Sequence, residues 1–197
     1  MAAAARAARG RELLKVKLGS ADGPEGDIAR MAAVRAAAPD ARFTVDANEA
    51  WGATDIARTA HALAGLGVEL IEQPVPAGQD ALLDGVVSAV PLAADESCHD
   101  RATLDAIIGR YRYINIKLDK AGGLTEALAL VHAAKARGLG IMTGCMLSTS
   151  LGIAPAFHIA MQGEYADLDG PLLIEDRPHG LRFEGSDVWP PDAALWG

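Results

Sequence analysis

Six short segments concentrate the residues able to do chemistry: Lys15-Val16-Lys17, Asp46-Ala47-Asn48, Glu72-Gln73-Pro74, Asp95-Glu96-Ser97, Ile116-Lys117-Leu118 and Asp167-Leu168-Asp169. Asp46, Glu72 and Asp95 supply three carboxylates from three successive segments. An all-oxygen set with room for water and substrate suits a hard cation and points to one Mg²⁺ ion. Lysines come from the segments on either side of this trio. A lysine serves as a base only when its pKa is lowered, which burial or neighbouring cations achieve. Lys15 beside Lys17, with a divalent ion close by, would apply that pressure. The chemistry is removal of a proton from carbon next to a carboxylate, with the metal stabilising the resulting enediolate.

Such residues need elements to hold them. Leu13–Leu18, Arg42–Asn48, Leu70–Pro74, Leu92–Ser97, Tyr113–Leu118, Gly140–Gly144 and Tyr165–Leu173 read as strands from their apolar, β-branched character. Between them, Pro24–Ala38, Thr54–Leu66, Ala81–Ala89, Arg101–Ile108, Leu124–Ala136 and Thr149–Met161 read as helices, and Met1 to Gly10 as a further one. Ile28, Met31 and Val34 share one helix face, as do Ile56, Ala60 and Leu63. Gly67, Gly138 and Gly163 fall where helices end. Strand parity puts Lys15 with Lys17, Asp46 with Asn48, and Asn115 with Lys117, each pair opposite an apolar set. The repeated strand–helix beat admits an open doubly wound sheet or a closed barrel. An open sheet would carry a glycine-rich phosphate loop after an early strand, but Gly122-Gly123 comes late. Chemistry drawn from the ends of many strands favours the barrel. Around it, Lys17 and Lys117 would face each other across the metal.

Composition is consistent with this reading. The 197 residues are half hydrophobic, with 21 glycines and only 5% aromatics, which suits helices packed closely on a sheet. The net charge of −8 argues against a nucleic-acid partner, which would want a basic face. No apolar run is long enough to span a membrane. Cys98 and Cys145 form no paired motif and read as buried or free thiols of a reducing compartment, hence a cytoplasmic protein. A small-molecule substrate is the expected partner, and homo-oligomerisation stays open.

In this order, the first five segments, with Asp119-Lys120-Ala121-Gly122-Gly123 following Leu118, resemble the muconate-lactonizing subgroup of the enolase superfamily. Asp167 and Asp169 narrow the resemblance to the dipeptide epimerases, whose best known members act on L-Ala-D/L-Glu. The resemblance implies a TIM-type (β/α)7β barrel and an isomerase. It implies Mg²⁺ on Asp46, Glu72 and Asp95, and Lys17 and Lys117 as the two bases of a 1,1-proton transfer. Asp167 and Asp169 would hold the ammonium group of the dipeptide, and Lys15 would neutralise the enolate. Cycloisomerases, o-succinylbenzoate synthases and N-acylamino acid racemases share the metal and lysine layout and remain alternatives. The family also has an N-terminal capping domain and a first barrel strand that residues 1–197 do not match. The expectation is therefore one incomplete barrel domain, and an inactive fragment is a further alternative.

Blander readings compete at individual positions. Asp-x-Asp before Gly170-Pro171 is also turn chemistry. Glu96 is either a partner of an active-site lysine or solvated, and Asp119 and Lys120 read as loop charges. His61, His99, His132, His158 and His179 have no partners at metal-ligand spacing. Met142, Cys145 and Met146 read as packing near the barrel mouth. Ser148 and Ser150 lack the base and acid of a nucleophilic triad.

Overall fold

A computed structural model of the chain describes residues 1–8, 10–52, 56–176 and 178–195. The chain forms two compact units, Met1–Ser97 with Gly109–Arg112, and Cys98–Ile108 with Tyr113–Gly197.

The first unit contains α1 (Ala2–Ala7), β1 (Leu13–Lys17), α2 (Gly23–Ala37), β2 (Arg42–Asp46), α3 (Ile56–Gly65), β3 (Val68–Glu72) and β4 (Leu92–Ala94). The expected helix start at Thr54 and Asp55 lies outside the described residues. The strands pair in parallel in chain order. Register puts Val16, Val45 and Ile71 on one sheet face and Lys17, Asp46 and Glu72 on the other. Phe43, Val45 and Ile71 are fully buried, as are Met31 of α2 and Ala60 and Leu63 of α3. Each large apolar side chain so buried contributes about 1.5–3 kcal/mol. Helical spacing on α2 and α3 and strand parity on β1–β3 thus serve one core, leaving the opposite strand face for polar groups.

The strand expected over Leu92–Ser97 ends at Ala94, and the chain bends and turns through Asp95–Ser97. The strand expected to reach Asn48 stops at Asp46. Asn48 and Glu49 have φ of +44° and +65°, which turns the chain and leaves Asn48 exposed, off the face it was expected to share with Asp46. The helix expected over Ala81–Ala89 shrinks to a 3₁₀ turn at Asp80–Leu83, because Gly85 adopts a left-handed φ of +75°.

The second unit contains α4 (Leu104–Ile107), β5 (Tyr113–Ile116), α5 (Leu118–Ala121), α6 (Leu124–Ala136), β6 (Gly140–Gly144), α7 (Ser150–Ile153), α8 (Phe157–Ala160), β7 (Tyr165–Asp167) and the hairpin β8 (Phe183–Glu184) and β9 (Asp187–Val188). Strands β5, β6 and β7 are parallel and adjacent in that order. The helix expected over Thr149–Met161 breaks into α7, a 3₁₀ turn and α8, because Pro155 can neither donate to a continuous helix nor fit its interior. The strand expected to run to Leu173 ends at Asp167, and Gly170–Leu173 winds into a 3₁₀ turn with Pro171 near its start. Leu168 turns inward, packing with Ile153, Ala156, Leu181 and Leu195. Lys120 is not a loop charge. It lies on half-buried α5 and donates to the carbonyls of Cys98 and Asn115, both at 3.0 Å. It thereby holds the segment at Cys98 against the end of β5.

Candidate active site

The three acids lie at the ends of β2, β3 and β4, all in the first unit. Lys17, Asp46 and Glu72 are direct partners across β1, β2 and β3. Glu72 is opposite Ala93 on β4, so Asp95, two residues on, returns to the same parity. Asp46, Glu72 and Asp95 are buried, and a carboxylate oxygen from each lies within 4.8 Å of the others. Lys15, one rung lower on the same face, reaches Asp46 Oδ2 at 3.2 Å and Glu72 Oε2 at 2.7 Å. Lys17 Nζ donates to Asp46 Oδ2 at 2.6 Å. The two lysines differ in exposure: the side chain of Lys15 is 13% accessible and that of Lys17 is 59%. Lys15 is thus seated among the acids, whereas Lys17 reaches outward.

Three buried carboxylates facing two ammonium groups leave one negative charge in excess. Glu72 registers the imbalance. Burial raises its carboxyl to about 7, and Asp46 and Asp95 add to the effect, so together they outweigh the opposing Lys15. Burial, and then Asp95, also raise the half-buried Glu96 carboxyl. Three close, buried carboxylates with only oxygen donors, one of them held against ionisation by its burial, fit a hard divalent cation. Its binding would favour the ionised form of all three.

In the second unit, Lys117 follows β5 directly and is half-buried. Register carries its rung through Gly144 of β6 to Asp167 of β7. A Cβ at Gly144 would lie 2.7 Å from Asn115 Oδ1 and 3.1 Å from Lys117 Cε, so the missing side chain is what leaves Lys117 its seat. Asp167 is half-buried and Asp169 exposed, on either side of the inward Leu168. Cys145, just after β6, belongs to the same neighbourhood. Burial raises its thiol pKa, a hydrogen bond from the Gly170 backbone opposes this, Asp167 and Asp169 raise it further, and Lys117 lowers it. Met142 is buried in β6, whereas Met146 is 47% exposed.

Several groups escaped the sequence reading. Asp27, fully buried, accepts from the Gly19 backbone at 2.9 Å, from Trp51 Nε1 at 2.9 Å and from Arg30 Nη1 at 2.6 Å. It ties the turn after β1 to the turn after β2, immediately beyond Lys17 and Asp46. Gln73 stands out in the sequence only as the neighbour of Glu72, yet its side chain is the centre of a buried network with Ser97, Tyr111 and Asp80. Ser150 does meet a carboxylate: its hydroxyl and backbone N–H both donate to Asp176, while Leu181 N donates to its oxygen at 2.7 Å. That arrangement is a loop anchor. No sequence pattern joins residues 26 or 31 positions apart in this way.

Residues 1–193 match the model of the family described as enolase C-terminal domain-like. The chain belongs to this family. Among curated relatives of this enolase-type domain, L-Ala-D/L-Glu epimerase of Escherichia coli is 52% identical over 180 residues, spanning 91% of the chain and 55% of the relative. N-acetyl-D-glutamate racemase of a Pseudoalteromonas species is 48% identical over 186 residues, spanning 94% of the chain and 58% of the relative. The chain therefore spans little more than half the length of these relatives. Among solved structures, an enolase family member from Agrobacterium tumefaciens, described as having homology to dipeptide epimerases and as binding sodium and L-Ala-L-Glu, superposes with a TM-score of 0.94. It is 52% identical and covers 100% of the chain, which covers 59% of it. A dipeptide epimerase from Enterococcus faecalis complexed with Mg and L-Leu-L-Tyr gives a TM-score of 0.84 at 36% identity, over 92% of the chain and 54% of that structure. The fold class is accordingly the α/β TIM-type barrel of the enolase superfamily. Among the described residues, no helix is long and apolar enough to cross a membrane.

Proposed function

We propose that the chain is the barrel portion of a Mg²⁺-dependent epimerase that inverts the α-carbon of the C-terminal residue of a dipeptide. L-Ala-D/L-Glu, and so the class of murein peptides, is the foremost candidate substrate. The observation that carries this reading is the single rung of Lys17, Asp46 and Glu72, with Asp95 and Lys15 beside it. Asp46, Glu72 and Asp95 would hold the cation, which supplies positive charge at the substrate carboxylate and so acidifies the adjacent C–H. Lys17 or Lys117 removes the α-proton and the other lysine returns one to the opposite face. Lys15, seated among the acids, helps neutralise the negative charge of the enediolate. Asp167 and Asp169 receive the free ammonium group of the dipeptide. The identity to a dipeptide epimerase supports the choice of substrate.

The similarity to an N-acetyl-D-glutamate racemase favours a second reading, in which the substrate amine is acylated. The two readings separate at Asp167 and Asp169, because an acylated amine offers no cation to pair. The experiment is α-deuterium uptake in D₂O with Mg²⁺, using L-Ala-L-Glu, L-Ala-D-Glu and N-acetylglutamate. A dipeptide epimerase exchanges the dipeptides and loses that exchange when Asp167→Asn and Asp169→Asn are combined. Exchange confined to N-acetylglutamate and indifferent to the double substitution establishes the racemase. No exchange with any of the three overturns both.

A further inference from the structure

Gln73 follows the acid Glu72 and is fully buried, yet its backbone has φ of +34°, a strained region for any residue except glycine. Its carboxamide explains what holds it there. The oxygen accepts from the backbone N–H of Asp95 at 2.8 Å and of Ser97 at 3.1 Å. The nitrogen donates to Val75 O and Ser97 Oγ, both at 2.8 Å, and lies 3.2 Å from Tyr111 Oη. Its backbone completes the set: Gln73 N donates to Ala93 O at 2.8 Å, and Glu49 N donates to Gln73 O at 2.9 Å. One residue is thus bonded to the segments that follow β2, β3 and β4, the three strands that end in the acids.

The amide has only one workable orientation. The hydroxyls of Ser97 and Tyr111 both donate to Asp80 Oδ1, at 2.6 and 2.7 Å. Their oxygens are therefore left to accept, which requires the NH₂ of Gln73 on their side and its oxygen toward Asp95 N–H. A flipped amide would set donor against donor and acceptor against acceptor. Asp80 accepts in addition from Gly78 N at 3.3 Å, and burial and the bond to Asp80 both hold the Tyr111 phenol in its protonated, donating form.

We propose that Gln73 is a positioning residue that fixes the spacing of Glu72, Asp95 and Asp46 for a divalent cation, with Asp80 and Tyr111 setting its orientation. The inference rests on the reading of the three acids as a metal site. Partners of this kind behind ligating groups alter metal affinity by about 10–100-fold. The test is Mn²⁺ titration of the 197-residue chain by calorimetry and by electron paramagnetic resonance, well below its unfolding midpoint. Gln73→Leu should weaken Mn²⁺ binding by about 10–100-fold. Tyr111→Phe, which keeps the ring and removes one oriented hydroxyl, should weaken it several-fold. A role confined to stability would lower the metal-free unfolding midpoint of both variants and leave the dissociation constant alone, which overturns the proposal. Should Gln73→Leu not fold, Tyr111→Phe decides by the same criterion. If the parent chain binds no Mn²⁺, or Asp95→Asn binds it as the parent does, the metal-site reading itself falls and the proposal with it.

Discussion

Raising the pH of the metal-free chain from 4.5 to about 7 should loosen the first unit. The cause is Glu72, whose carboxyl is raised from 4.5 to about 7 by burial, reinforced by Asp46 and Asp95 and opposed by Lys15. Through this window the native state holds a proton that the unfolded state has released. The difference in bound protons, unfolded minus native, is negative, so stability falls as pH rises, by at most about 1.4 kcal/mol per unit. The loss begins at the unfolded value, 4.5, and is complete above the folded one, about 7. Over that span it amounts to about 3 kcal/mol. For a chain of this size that corresponds to a melting shift of about 6–12 °C. The assay is thermal unfolding in a chelator across the window, comparing the parent with Glu72→Gln. The variant cannot ionise and should lose the slope, while other titrating groups contribute equally to both curves. Saturating Mg²⁺ should also flatten the parent curve, since a bound cation favours the carboxylate. Parallel parent and Glu72→Gln curves would refute the reasoning.

Further outcomes follow from the same geometry. Lys17→Ala and Lys117→Ala should each abolish turnover while leaving deuterium uptake from one substrate epimer only, read by NMR with the two epimers separately; loss of neither exchange would remove the lysines from the reaction. Gly144→Ala forces a Cβ to within 2.7 Å of Asn115 Oδ1, so about 1–3 kcal/mol of stability should go, together with most of the exchange that depends on Lys117; unfolding and exchange assays check both. Asp27→Ala strands Arg30, the buried Trp51 Nε1 donor and the part-buried Gly19 N–H, and chemical denaturation should show a loss of about 3–5 kcal/mol.

What could be read from the sequence was whatever depends on period. Alternation along Leu13–Lys17 joins Lys15 to Lys17, and both ammonium groups indeed reach Asp46 Oδ2. The same alternation places Asp46, Glu72 and Asp95 on a common face. Alternation fails once the backbone leaves the extended region, and Asn48 is the example: a positive φ two residues past Asp46 takes it off the shared face. The helix expected over Thr149–Met161 has the right apolar spacing, but Pro155 breaks it. The network behind the acids was illegible for a different reason. Gln73, Asp80, Ser97 and Tyr111 lie outside the α-helices and the strands β1–β5, and Gln73 and Tyr111 are 38 positions apart. Their meeting is a property of loop geometry, which no local pattern encodes.

The shared rung of Lys17, Asp46 and Glu72 bears on how such a gene tolerates insertions and deletions. Adding or losing one codon within β1, β2 or β3 would rotate the terminal side chain to the opposite face and exchange a charged group for a buried apolar one. The same change a few codons downstream, in the turns that follow, leaves that parity untouched. Length variation should therefore accumulate in the connections and almost never within the strands that carry the rung. Recombining turns between related genes at that boundary can alter the loops around the site while the charged rung passes through intact.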